Sequence, residues 1–191
     1  MASGTSPSLA ATPAGKFKAV FQANNTYLYL YDVTASTTTA STLGMEAGTS
    51  PAIAAADDGD FAAVFQANTT DLWTYDPATG QATGTTKGMM STSSPAITAN
   101  PSGTFEIAFE NNGGDLYGWD YNLDSASYYG TTIAMNHTSN PSLTAESDGT
   151  FRAGIETSTG DLYIYNPSAS PATGSDTGQG MNPGTSPSLA Y

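Results

Sequence analysis

The 191-residue chain carries 17 acidic side chains against four Lys or Arg, a formal net charge of -13, which leaves almost no cations to neutralise a phosphate backbone and excludes nucleic acid as a partner. It has no cysteine for disulfide staples or thiol chemistry, and no run of about 18 apolar residues that would insert into a membrane. Twenty Gly, 11 Pro, 11 Tyr and 7 Phe, with no helical amphipathic pattern, indicate an all-β protein of short strands and frequent turns.

The chain is an internal repeat. Pro7, Pro51, Pro95, Pro141 and Pro187 recur at steps of 44, 44, 46 and 46 residues, and Phe17, Phe61, Phe105 and Phe151 keep the same step. Units of that size cannot bury an apolar face alone, so the fold follows from how the copies stack. Residues 1–191 read as a single repeat domain, with copies at about 4–47, 48–91, 92–137 and 138–183 and a partial fifth at 184–191. Gly4–Ala10 and Gly184–Ala190 are the same heptapeptide, which fits a ring-closing strand, an excerpt of a longer array, or a homo-oligomer completing a larger ring.

In chain order, each copy opens with a short apolar run after the proline, as in Ala52-Ile53-Ala54-Ala55, and reaches a tight turn at Asp58-Gly59. Phe61, Ala63 and Phe65 then alternate with Ala62, Val64 and Gln66 in period two, which is a strand. Asn68-Thr69-Thr70 turns the chain, Leu72 to Asp76 is a third strand with Trp73 and Tyr75 on one face, and Asp76-Pro77 begins another turn. The Thr-rich stretch from Gln81 to Lys87 suits an outer edge strand. Four antiparallel strands in about 45 residues, repeated with short links, match the blade of a β-propeller; a β-solenoid or two-sheet barrel built from the same units is the alternative.

Strand parity places the Thr-Ser-Pro linkers and the turn after Phe-Gln-Ala-Asn on one face of the disc, and the Asp-Gly and Asp-Pro turns on the other. The linker face thereby collects Gln22, Asn24, Gln66, Asn68, Glu110, Asn112 and Glu156, with Asp71, Asp115 and Asp161 and the aromatic residues Trp73, Tyr117 and Tyr163 beside them. Amides, carboxylates and an aromatic ring can hydrogen-bond sugar hydroxyls while packing on the apolar face of a pyranose, so these thirteen residues are the candidate sugar-binding set. The same amides and carboxylates could instead serve the backbone of the linkers, and the Trp and Tyr rings could be inter-blade packing; both readings stay open on the sequence alone.

Asp57, Asp58 and Asp60 form an acidic cluster, but the matching turns hold Pro13-Ala14-Gly15 and Pro101-Ser102-Gly103, so no calcium site, other metal or cofactor is expected. His137 is the only histidine and reads as a surface linker residue. With no nucleophile elbow, HExxH pair or phosphate-binding loop, and with Gln22 and Gln66 where a carboxylate pair would need Glu, catalysis is not expected.

The run from Phe65-Gln66-Ala67-Asn68 to Trp73, with a Gly-Met-x-x-Gly-Thr-Ser-Pro linker, resembles tandem blade repeats of secreted actinobacterial proteins and, in architecture, lectin-like β-propellers. The resemblance implies an extracellular, multivalent carbohydrate-binding propeller whose partners are glycans or cell-surface polysaccharide. A structural or protein-interaction propeller without a small-ligand site is the alternative.

Overall fold

A computed structural model describes residues 1–121, 126–169 and 172–190. Each repeat forms its own four-stranded antiparallel meander in sequence order. The first blade holds β1 (Ser8–Ala11), β2 (Phe17–Gln22), β3 (Tyr27–Asp32) and β4 (Thr37–Gly44); the second holds β5 (Ala52–Ala55), β6 (Phe61–Gln66), β7 (Asp71–Tyr75) and β8 (Ala82–Gly88). The third holds β9 (Ala96–Ala99), β10 (Phe105–Glu110), β11 (Asp115–Tyr121) and β12 (Ala126–Ala134); the fourth holds β13 (Ser142–Ala145), β14 (Phe151–Glu156), β15 (Asp161–Asn166) and β16 (Thr173–Gly180). Four separate sheets, none continued into the next, set a row of blades apart from a barrel.

Successive blades lie with their first strands side by side, β1 beside β5, β5 beside β9 and β9 beside β13. The linkers form a hydrogen-bonded belt along this inner edge. Ser6 N–H donates to Ser50 Oγ at 2.9 Å, Ser50 N–H to Ser94 Oγ at 2.9 Å, and Ser94 N–H to Asn140 Oδ1 at 2.6 Å. Among the described residues, no packing like that between neighbouring first strands brings β13 back to β1.

The two faces of each sheet take different neighbours, which is why both periods of a strand such as Phe61–Gln66 are apolar. Val20, Leu28 and Met45 of the first blade pack with Ile53, Phe61 and Phe65 of the second; Val64, Leu72 and Met89, from the opposite face of the second, pack with Ile107 and Phe109 of the third. Met45, Met89 and Met135, each the first residue after a fourth strand, are 1 % exposed and plug the boundary between two blades. Removing such side chains from water is the main stabilising term between blades whose backbones meet only at an isolated bridge, as at Met45 and Ala67.

One irregularity recurs in all four blades and shapes the boundaries between them. The register between third and fourth strands slips at Tyr27/Tyr29, Asp71/Trp73, Asp115/Tyr117 and Asp161/Tyr163. A hydroxyl fills each gap: Ser41, Thr85, Thr131 and Thr177 donate to the carbonyls of Leu28, Leu72, Leu116 and Leu162 at 2.6 to 2.8 Å. Each oxygen also accepts the N–H two residues on, so one side chain closes both ends of the bulge. A bulge bends its strand and re-aims the residues C-terminal to it, here the segment 42–44 and its equivalents, toward the next blade.

Candidate clefts between adjacent blades

The turn after β6 is built to meet the end of β4. Thr70 N–H donates to Ala67 O at 2.8 Å and Ala67 N–H to Asp71 O at 2.9 Å, closing a tight loop with Thr70 at φ 65°. That left-handed residue turns its carbonyl outward, where Met89 N–H of the following linker donates to it at 2.7 Å. The loop then docks across the boundary through Asn68 N–H to Gly44 O at 3.1 Å. A Cβ at Gly44 would stand 2.7 Å from Asn68 Nδ2, so glycine lets the amide lie over the strand end.

The same construction appears between the second and third blades, where Asn112 N–H donates to Gly88 O at 3.1 Å and its side chain lies over Gly88. Between the third and fourth the residues change together: Ser158 N–H donates to Ala134 O at 3.0 Å, a shorter side chain over a strand end that has gained a methyl.

Beside each loop stands the aromatic residue of the third strand. Trp73 lies over Gly84, 2.9 Å from where a Cβ would be, with its ring 6.3 Å from that of Phe65. Tyr117 lies over its register partner Gly130, as Trp73 does over Gly84, and stands 6.0 Å from Phe109, whereas Tyr163 is paired with Asp176 and reaches over Gly174, the partner of Tyr165. Trp73, Asn68, Phe65 and Ala67, facing Leu43 and Gly44 of the first blade, line an open cleft of about 130 Å³. That is well below the few hundred Å³ of a pocket that engulfs a small molecule, and it suits gripping one face of a ring-sized ligand.

The thirteen sequence candidates therefore fall into groups. Asn68 and Trp73 share one cleft, and Asn112 with Tyr117 occupy the matching place in the next. Tyr163 belongs to the third cleft, where Ser158 takes the amide's position. Asn24 is exposed, and among the described residues no blade packs on that side of the first, so its cleft has one wall here. Asp71 and Asp161 lie half-buried at the rim, each accepting a hydroxyl of its own turn, from Thr69 at 3.3 Å and Thr159 at 3.2 Å. Asp115 is half-buried at the start of β11.

Gln22, Gln66, Glu110 and Glu156 are 0 % exposed and face the linkers. Gln22 Nε2 donates to Glu46 O at 2.7 Å and Gln66 Nε2 to Met90 O at 2.9 Å, fixing the linker that leaves each blade. Glu156 Oε1 accepts from Asn136 Nδ2 at 2.9 Å. Glu110 is bound by Nδ1 of His137, whose side chain is 60 % exposed, so the lone histidine sits on the surface yet caps a buried carboxyl. Burial pushes the Glu110 carboxyl above the ordinary range, and the His137 contact opposes that rise without cancelling it.

A cavity of about 480 Å³ opens on the opposite face between the first two blades. It is lined by Lys16, Lys18, Asp32, Asp60 and Phe61. Lys18 Nζ donates to Asp32 Oδ2 at 2.8 Å and stands 5.5 Å above the Phe61 ring, so the charge ties the first blade to the second. The Lys18 hydrogen bond and the Ala35 N–H together hold the Asp32 carboxyl below its usual range.

Comparison with solved structures places this architecture. AofleA from Arthrobotrys oligospora superposes with a TM-score of 0.66 at 11 % identity, over 91 % of this chain and 56 % of that one. The Aleuria aurantia lectin in complex with alpha-methyl-L-fucoside superposes at 0.62 and 11 % identity, over 96 % of this chain and 68 % of that one; a further structure of that lectin is described as a six-bladed β-propeller. The chain has the β-propeller fold. It spans a little over half the length of AofleA and about two thirds of the Aleuria lectin, the share that four blades of six would occupy. The Swd1 β-propeller domain from Myceliophteria thermophila also superposes, at 0.55 and 11 % identity, over 95 % of this chain and 60 % of that one. Neither protein families nor curated proteins match the chain.

Proposed function

We propose that this chain is a non-catalytic, multivalent carbohydrate-binding propeller acting outside the cell, with its sites in the clefts between adjacent blades. The carrying observation is the cleft that sets the Trp73 ring beside the Asn68 amide. An indole face packs on the C–H side of a pyranose, and the amide supplies one donor and one acceptor to its hydroxyls. Asn112 with Tyr117 and Ser158 with Tyr163 give two more sites of graded strength, with Asp71, Asp115 and Asp161 offering carboxylates at the rims. Gln22, Gln66, Glu110 and Glu156 act on the ligand through the linkers they hold. Asn24 contributes wherever a further blade adjoins the first.

Structures bound to alpha-methyl-L-fucoside and to Fucalpha1-6GlcNAc among the similar propellers support a fucosylated glycan as the first ligand to test. Weak sites held on one rigid array gain roughly two to four orders of magnitude in apparent affinity for a clustered glycan. The test is a glycan array probed with the parent chain, Asn68→Ala and Trp73→Ala, each first checked for an unchanged fold by circular dichroism. Selective binding by the parent that drops in both variants is expected. Absence of binding to any glycan would overturn the reading in favour of a protein-interaction scaffold.

A further inference from the structure

The two ends of the blade array carry complementary halves of the boundary that the chain builds three times within itself. At the first blade, Leu9 is 62 % and Phe17 40 % exposed, where their equivalents Ile53 and Phe61 in the second blade are each 5 % exposed. Phe21 and Tyr29 continue this open face, their rings 5.7 Å apart in the arrangement that Phe65 and Trp73 adopt inside a boundary.

At the other end, Gly184–Ala190 repeats Gly4–Ala10 and lies where a fifth first strand belongs. Asn140 N–H donates to Ser186 Oγ at 2.9 Å, as Ser6 N–H does to Ser50 Oγ, and Leu189 N–H donates to Ser142 Oγ at 2.9 Å, as Ile53 N–H does to Ser8 Oγ at 3.2 Å. Leu189 packs on Gly154 at 3.2 Å from its Cβ position. This segment is a first strand without a second: β1 pairs with β2 from Ser8↔Val20 to Ala11↔Phe17, and the described residues give 184–190 no such ladder.

We propose that a second copy of this chain occupies this edge by strand exchange. Residues 184–190 of one copy pair with β2 of the other and displace that copy's own Gly4–Ala10, so that chains join head to tail. Exchange follows from the geometry, because one slot against the fourth blade cannot hold two first strands and its occupant is already the right sequence. The serine contacts of the linker belt are kept in the swap. Ser186 N–H can reach Ser50 Oγ as Ser6 does, and Ser188 Oγ can accept from Ile53 N–H as Ser8 does. The gain is a fourth inter-blade boundary, burying Phe17, Phe21 and Tyr29 against Leu162, Ile164 and Met181, which are half-buried in the fourth blade where Met45, Met89 and Met135 are 1 % exposed. The joint also gives Asn24 its missing wall, with Gly180 standing to it as Gly44 stands to Asn68. A head-to-tail contact is heterologous, so it closes into a ring if the rotation permits and otherwise continues as a chain. The assembly does not depend on the carbohydrate reading.

The test uses the full 191-residue chain. Sedimentation over a hundredfold range of concentration is expected to give at least twice the 19.5 kDa of one chain; a single-chain mass throughout overturns the proposal. The natural chain has no cysteine, so Ala19→Cys and Leu189→Cys report strand position directly, Leu9 being the partner of Ala19 in β1. Oxidation of the two single variants mixed is expected to give a disulfide dimer joining one of each, distinguished by a mass tag on one. Assembly without that mixed dimer overturns exchange, and a double variant that links only within its own chain overturns the second copy as occupant.

Discussion

The first and second blades carry the same strand, Phe17-Lys-Ala-Val-Phe-Gln and Phe61-Ala-Ala-Val-Phe-Gln, yet Phe17 is 40 % exposed and Phe61 5 %. Lys18 in place of Ala62 is the one difference within the strand, and both strands pair in the same register with their neighbours. The exposure differs through the presence of another blade. In a stacked array, a residue's energetic weight is set by the unit beside it as much as by its own. The largest expected effect tests that statement. Phe65→Ala should destabilise the chain by about 3–5 kcal/mol, because Phe65 is 0 % exposed within the first boundary, and Phe21→Ala by about 1 kcal/mol in dilute solution. Urea unfolding of both variants measures the contrast, and equal losses would break the comparison. If copies exchange strands, the loss at Phe21 should grow with protein concentration while that at Phe65 stays constant.

The comparison sharpens at the inner end of the same strands, where Gln22 and Gln66 are matched by Glu110 and Glu156. A carboxyl whose pKa is raised in the folded state binds its proton more tightly there than in the unfolded chain. Its contribution to stability is therefore complete below the ordinary carboxylate range and is lost as pH rises through the raised value. Glu110→Gln should remove that loss, since an amide there can donate to the linker as Gln66 does to Met90 O. We expect stabilisation on the order of 1 kcal/mol at neutral pH, shrinking toward zero in mild acid, in urea titrations of parent and variant. A gain that is the same at both pH values would sink this account.

These strands, their hairpins and the radial stacking were legible in the sequence, because period two and the Asp-Gly turns are local signals repeated four times. Part of the candidate site was legible too. Asn68, past the strand end, was open to a ligand by its place in the turn, whereas parity could not mark Gln66 as buried, because both faces of Phe61–Gln66 are apolar. The bulge hydroxyls were hidden, because Ser41, Thr85, Thr131 and Thr177 sit in strands rich in Ser and Thr and only the slipped register singles them out. The number of complete clefts was also beyond a single copy's sequence: each cleft takes one wall from either neighbour, so four blades in a row enclose three.

The pairing of walls yields a smaller effect that separates binding from stability. Gly44→Ala places a methyl where Asn68 now lies, and the amide must swing away from the strand end. Stability should fall by no more than about 1 kcal/mol, because an exposed side chain can move, but glycan binding at that cleft should weaken. Adding Asn68→Ser recreates the Ala134 and Ser158 pair and should restore the stability without restoring the amide's contribution to binding. A double-mutant cycle on melting and on binding reads both. Coupling that is absent from the stability arm would mean that the concerted change at the third boundary has another cause.

The smallest expected effect is local, and it is the counterpart of the Phe21 and Phe65 contrast. Thr26 and Thr70 hold the left-handed turn position at φ 65° in each case, where the third and fourth copies use Gly114 and Gly160. A β-branched residue there brings its side chain against the backbone, and glycine relieves that crowding at the expense of a more flexible unfolded chain. The carbonyl of the residue still accepts the linker methionine N–H, at 2.8 Å from Met45 and 2.7 Å from Met89, so the hydrogen bond is untouched by the change. Thr26→Gly and Thr70→Gly should each stabilise by up to about 1 kcal/mol, and by the same amount, because strain in a turn does not depend on which blade stands next to it. Unequal gains, with Thr70 the larger, would show that the neighbouring blade presses on the turn as well as on the strands.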